Sequence, residues 1–84
     1  MNYRVIFLRI FVRRFHHLHP RLRLQVRRRV RELAKNPYVG LRLVGELEGF
    51  WKDRVGKYRI IYKIDEPNKA LVFYDVDLRK RVYR

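Results

Sequence analysis

Lys52, Arg54 and Arg59 fall within WKDRVGKYRIIYK, residues 51–63, at a spacing that has chemical meaning if the stretch is a β-hairpin. Gly56-Lys57 has glycine at the first central position, as a type II′ turn requires. In that register Val55 faces Tyr58, Arg54 faces Arg59, Lys52 faces Ile61 and Trp51 faces Tyr62. Side chains alternate across a sheet. One face therefore carries Trp51, Val55, Tyr58, Ile60, Tyr62 and Ile64, and the other carries Lys52, Arg54, Arg59 and Lys63. A slip of one residue would push the aromatic set into water, so this register is strongly specified. Like charges directly opposite one another are destabilising. The arrangement becomes favourable once a phosphate sits between the cations. The spacing thus predicts an anion site, with a solvated face of splayed side chains as the alternative. Asp53 and Asp75 fall on the apolar face, which calls for helix arginines to pair with them near a sheet margin.

Residues 2–8, NYRVIFL, are β-branched and aromatic and read as a strand. Ile10, Phe11, Phe15 and Leu18 then recur at helical spacing. Pro20 ends that helix or opens the next. Leu22, Val26, Val30 and Leu33 make one apolar stripe of a second helix, and arginines fill most of its remaining surface. The sequence KNP at 35–37 stops it. Residues 38–49, with three glycines, read as an irregular connection. Three strands follow, roughly Phe50–Val55, Tyr58–Asp65 and Ala70–Val76, with EPNK at 66–69 as a turn. The order β, α, α, β, β, β predicts a single α+β domain over residues 1–84. Both helices must cover one face of a three-strand antiparallel meander that the first strand joins.

The charge is large and uneven: 22 Lys+Arg against 8 Asp+Glu, a formal net charge of +14. The first carboxylate is Glu32, and seven of the eight acids lie at or beyond Glu46. A thermostable surface would balance the two signs. This excess instead points to a polyanion, most simply nucleic acid, with an acidic protein as the other candidate. The absence of cysteine excludes disulfides and thiolate metal sites and fits a reducing cytoplasm. No apolar stretch reaches the roughly 18 residues of a membrane span. The arginines of MNYRVIFLRIFVRRF interrupt any signal-peptide core. His16, His17 and His19 lack a nearby carboxylate or cysteine to complete a metal site. They read as solvated or as interacting with a helix C-terminus. No metal and no cofactor is expected.

LEGFWKDRVGKYRIIYKID followed by ALVFYDVDLRKRVYR resembles the RelE/ParE superfamily of toxins from toxin–antitoxin systems. The RVGKYRIIY hairpin and the basic tail closing on tyrosine carry the likeness, which spans essentially the whole chain. In its RelE branch the resemblance implies a microbial-ribonuclease-type fold and a ribosome-dependent endonuclease that cuts mRNA. It also implies a RelB-like acidic antitoxin as partner in a hetero-oligomer. By position it implies Lys52, Arg54, Arg59, Arg79 and Tyr83 as catalytic residues. Many relatives have histidine just ahead of the tail arginine, where this chain has Leu78. The reaction would be attack of a 2′-hydroxyl on the adjacent phosphate without metal. Arg59 and Arg79 would stabilise the extra charge. Lys52, whose charged form neighbouring arginines disfavour, would be the candidate base. Glu46 and Glu48 are the alternatives for that role. Arg23, Arg27, Arg28 and Arg31 of the second helix, with Lys63 and Arg81, would contact RNA phosphates. A ParE-like, non-enzymatic inhibitor of DNA gyrase is the second reading, because one fold hosts both.

Overall fold

A computed structural model describes residues 2–78 and places the expected elements in the expected order, with one short strand added. They are β1 (Arg4–Phe7), α1 (Arg9–His16), α2 (Pro20–Lys35), β2 (Leu41–Arg42), β3 (Trp51–Val55), β4 (Tyr58–Asp65) and β5 (Ala70–Leu78). Pro20 opens α2 rather than closing α1. Its missing N–H costs nothing in a first turn, and the His19 side chain caps the helix by accepting from the Arg21 N–H. At the other end Asn36 leaves the helical conformation ahead of Pro37.

The sheet runs β1-β5-β4-β3-β2. The β3–β4 register is the one read from the hairpin: Trp51 with Tyr62, Lys52 with Ile61, Arg54 with Arg59 and Val55 with Tyr58. The first strand joins at the far edge, parallel to β5, while every other pairing is antiparallel. Phe11, Leu18, Val26, Val30 and Leu33 from the helices meet Val55, Ile60, Tyr62, Leu71, Phe73 and Val76 from the sheet in one core. Ile10 is the exception in the α1 pattern and stays exposed.

The connection 38–49 is more ordered than its composition suggests. Two 3₁₀ turns, Pro37–Val39 and Gly45–Leu47, flank β2, which pairs with β3. This edge closes against the core through Tyr62, whose hydroxyl donates to the Pro37 carbonyl at 2.6 Å. Burial keeps that phenol protonated, raising its pKa. Gly40 permits the approach. A Cβ there would run into the Tyr62 hydroxyl and lie 2.7 Å from the Lys52 carbonyl oxygen. The opposite end is held by Glu66, which accepts from Tyr3 at 2.8 and 3.0 Å and also pairs with Tyr38 and Lys69. One carboxylate thus joins the β4–β5 turn, the N-terminus and the first 3₁₀ turn.

Two outcomes follow from these closures. Gly40→Ala is expected to destabilise the fold by about 1–3 kcal/mol, since rigid backbone must give way to the new methyl group. Denaturant unfolding reads this directly, and a Gly40→Ala protein as stable as wild type would refute the close packing. The second outcome concerns acid. Hydrogen bonds from Lys69, Tyr38 and Tyr3 hold the Glu66 pKa down to about 2 from an ordinary 4.5. A depressed carboxylate stabilises the fold above its unfolded pKa and loses that contribution as pH falls through the folded value. Wild type should therefore lose melting temperature between about pH 4.5 and pH 2. Glu66→Gln should be less stable at neutral pH and flatter across that interval.

Candidate functional site

The opposed arginines belong to a longer cross-strand row. Arg54 in β3 pairs with Arg59 in β4, and Arg59 pairs on its other side with Asp77 in β5. Their environments differ. Arg54 is exposed, whereas Arg59 is only 4% exposed. The expectation of uncompensated cations is therefore corrected at one end, because the buried arginine has a buried carboxylate for a neighbour. A charge taken out of water requires such a neighbour. Lys52, Arg54 and Arg59 nonetheless line one groove of about 380 Å³, together with Asp53, whose carboxylate is held by Arg29, and with Val39, Gly40 and Leu41. The structure thus brings together the three site residues of the hairpin. Arg79, Arg81 and Tyr83 lie outside the described residues.

Asp53 and Asp75 each meet a helix arginine, although the register places Asp75 on the side of β5 opposite the core residue Val76 rather than on the apolar face. Arg29 Nε donates to Asp53 at 2.5 Å and Arg29 Nη1 donates to Glu32 at 2.7 Å. The Asp53 bond is the largest influence raising the Arg29 pKa. Arg14 Nη1 donates to Asp75 at 2.8 Å and to Asp77 at 2.9 Å. Asp77, two residues on and on the same side of β5 as Asp75, shares Arg14 with it. A bulge precedes both: Ile61 pairs with Asp75 and Tyr62 with Phe73, leaving Tyr74 as the extra residue and turning both aspartates to the side opposite Val76.

The α2 arginines occupy the other layer. Arg27 stacks over Phe15 at 5.4 Å, and Arg27 and Arg31 rim a groove of about 370 Å³ between α1 and α2. Arg23 donates to the His16 carbonyl. Arg28 is exposed. They lie on α2, whereas Lys52, Arg54 and Lys63 lie on the hairpin strands β3 and β4. His17 Nδ1 lies 2.8 Å from the Arg13 carbonyl oxygen in the last turn of α1, the helix-end role that its position suggests. Glu46 and Glu48 are exposed and do not line the Lys52 groove.

Comparison with known proteins gives the family and the fold. The family described as ParE toxin of type II toxin–antitoxin system, parDE, matches residues 4–83. Toxin RelG of Mycobacterium tuberculosis is 37% identical over 86 residues, covering 100% of this chain and 99% of that protein. A chain of the RelBE2 toxin–antitoxin complex from the same organism superposes with a TM-score of 0.87. It is 34% identical and covers 94% of this chain and 93% of its own. The isolated RelE toxin of E. coli shares the fold, with a TM-score of 0.79 at 20% identity over 96% of this chain and 90% of its own.

The two members of the arginine pair should respond differently to truncation. Arg54→Ala removes an exposed charge facing a like one, so unfolding stability should stay within about 0.5 kcal/mol of wild type. Arg59→Ala removes the buried cation beside Asp77 and should destabilise by about 3–5 kcal/mol. Urea unfolding of both proteins measures the contrast. Equal losses would show that the row does not divide into a buried and an open half.

Proposed function

The chain belongs to the ParE toxin family of type II toxin–antitoxin systems, within the RelE/ParE superfamily, and from that premise we propose that it is a ribosome-dependent mRNA endonuclease. The observation that supports this reading is the groove that gathers Lys52, Arg54 and Arg59 on the sheet face away from the helices. Three cations in one concave site match a phosphate that gains charge during reaction. The 2′-hydroxyl of one nucleotide attacks the next phosphate, its proton passes to a base, and the 5′ oxygen takes up a proton as it leaves. The products are a 2′,3′-cyclic phosphate and a 5′-hydroxyl. Arg54 and Arg59 bind phosphate oxygens with paired donors, which guanidinium geometry favours. Lys52 is the base in this scheme, while Arg79 and Tyr83 complete the site from the tail. The protein acts in the cytoplasm.

The partner is an acidic RelB-like antitoxin that forms a hetero-oligomer with the toxin. The apolar groove between α1 and α2, lined by Phe7, Phe11, Val12 and Phe15 and rimmed by Arg27 and Arg31, supports this. An amphipathic segment with acidic flanks matches both its floor and its rim. No helix among the described residues is long and apolar enough to cross a membrane. The second reading, a gyrase inhibitor that cleaves nothing, is favoured by the parDE description of the matching family.

A translation extract separates the two. Purified protein should cut mRNA on ribosomes, leaving mapped 3′ ends that carry cyclic phosphate. Cutting should persist when chelator is added with ribosomal magnesium controlled. Arg54→Ala should keep its fold and lose about 10²–10³ in single-turnover rate, as expected for loss of one electrostatic stabiliser. Intact mRNA together with inhibited gyrase supercoiling would overturn the nuclease in favour of the second reading.

A further inference from the structure

The open side of the sheet carries a second cluster outside the phosphate groove. Phe50, just ahead of β3, and Tyr74 in β5 meet edge to face, with ring centroids 4.8 Å apart and planes at 84°. The Lys63 ammonium stands 4.7 Å from the Phe50 centroid and 6.0 Å from that of Tyr74. Each residue reaches this place for a local reason. Gly49, at φ +95°, turns the chain into β3, and its Cβ position lies 3.8 Å from Lys63 Cε. Phe50 then points opposite to Trp51, which packs on the core. Lys63 points opposite to its buried neighbour Tyr62. Tyr74 is the extra residue of the β4–β5 bulge, a device that re-aims a side chain beside functional sites.

Core packing does not account for the cluster. Tyr62 and Phe73, on the helix side, are wholly buried, whereas Phe50, Tyr74 and Lys63 are each only half-buried. Among the described residues, both helices lie on the other face. Rings next to a cation on an open sheet face are the means by which proteins hold single-stranded nucleic acid. Every base has a π-face to stack, and the cation takes a phosphate. Lys63 lies four residues along β4 from Arg59, about 13 Å. A strand of RNA crossing the groove therefore passes over the rings.

We propose that Phe50, Tyr74 and Lys63 form a stacking subsite for a base of single-stranded RNA, beside the phosphate held by Lys52, Arg54 and Arg59. This rests on the RNA reading of that groove. In the free protein Lys63 covers the Phe50 ring; with RNA bound it turns to a backbone phosphate and the base takes its place.

The test uses the full-length protein and two fluorescein-labelled RNA oligonucleotides, identical except that one carries abasic positions. Fluorescence anisotropy at several salt concentrations follows binding. Wild type should bind the base-bearing RNA about 5- to 150-fold more tightly than the abasic one, the span expected for one stacked base. Tyr74→Leu and Phe50→Leu should erase that preference and keep the salt dependence of abasic binding, which reports phosphate contacts. Arg54→Ala should do the reverse. Equal affinity of wild type for both RNAs overturns the subsite and leaves the phosphate groove standing. Absence of salt-dependent binding to either RNA overturns both. Should Tyr74→Leu bind RNA normally but lose an acidic antitoxin peptide, the rings belong to a protein interface and the proposal fails. The wild-type comparison needs no variant, so misfolding of a mutant cannot shelter it.

Discussion

Two arginines hold the helix layer to the sheet, and they do so through three aspartates. Arg29 of α2 reaches Asp53 of β3, and Arg14 of α1 reaches Asp75 and Asp77 of β5. In a chain of net charge +14, carboxylates are scarce, and their placement decides which cations are satisfied within the fold. Three of the eight stand at this seam between helices and sheet. On the hairpin, Arg54 stays exposed and Lys63 half-buried. Removing one partner from such a half-buried pair leaves a poorly compensated charge, so these few acids matter more than their number suggests.

The same division explains why the buried and exposed arginines of the hairpin are not equivalent. Arg59, in a central strand with a neighbour on each side, is closed in by Arg54, Asp77 and the strands themselves. It serves the fold and the groove together. Arg54, one strand nearer the edge, keeps its guanidinium in water. A phosphate entering the groove would meet one fixed, preorganised donor and one that adapts. Fixed donors are the ones that avoid reorganisation when charge develops.

Much of this was legible in the chain itself. RVGKYRIIY determines a turn, a register and two chemically distinct faces, and the observed β3–β4 pairing follows residue by residue. The stripe Leu22, Val26, Val30, Leu33 and the stop at Asn36-Pro37 define α2 equally well. What could not be read depends on contacts distant in sequence. Leu41–Arg42 becomes a strand only because β3 offers an edge, and two residues carry no periodicity. The bulge at Tyr74 shifts the parity of β5 without any local mark, and with it the side that Asp75 and Asp77 occupy. Glu66 looks like an ordinary turn residue until Tyr3, from the other end of the chain, donates to it. The tail residues Arg79, Arg81 and Tyr83 fall outside the described residues.

The parallel pairing of β1 with β5 sets an order of events during synthesis. β1 emerges well before its hydrogen-bonding partner, which is made more than sixty residues later. At cellular elongation rates that interval is about 3–13 s. Until β5 arrives, Val5, Ile6 and Phe7 have no strand to join, and Arg59 lacks the Asp77 beside it. The nascent chain cannot complete its sheet while β5 is still inside the ribosome that is making it. The sheet therefore closes late, when β5 emerges and finds β1 on one side and β4 on the other.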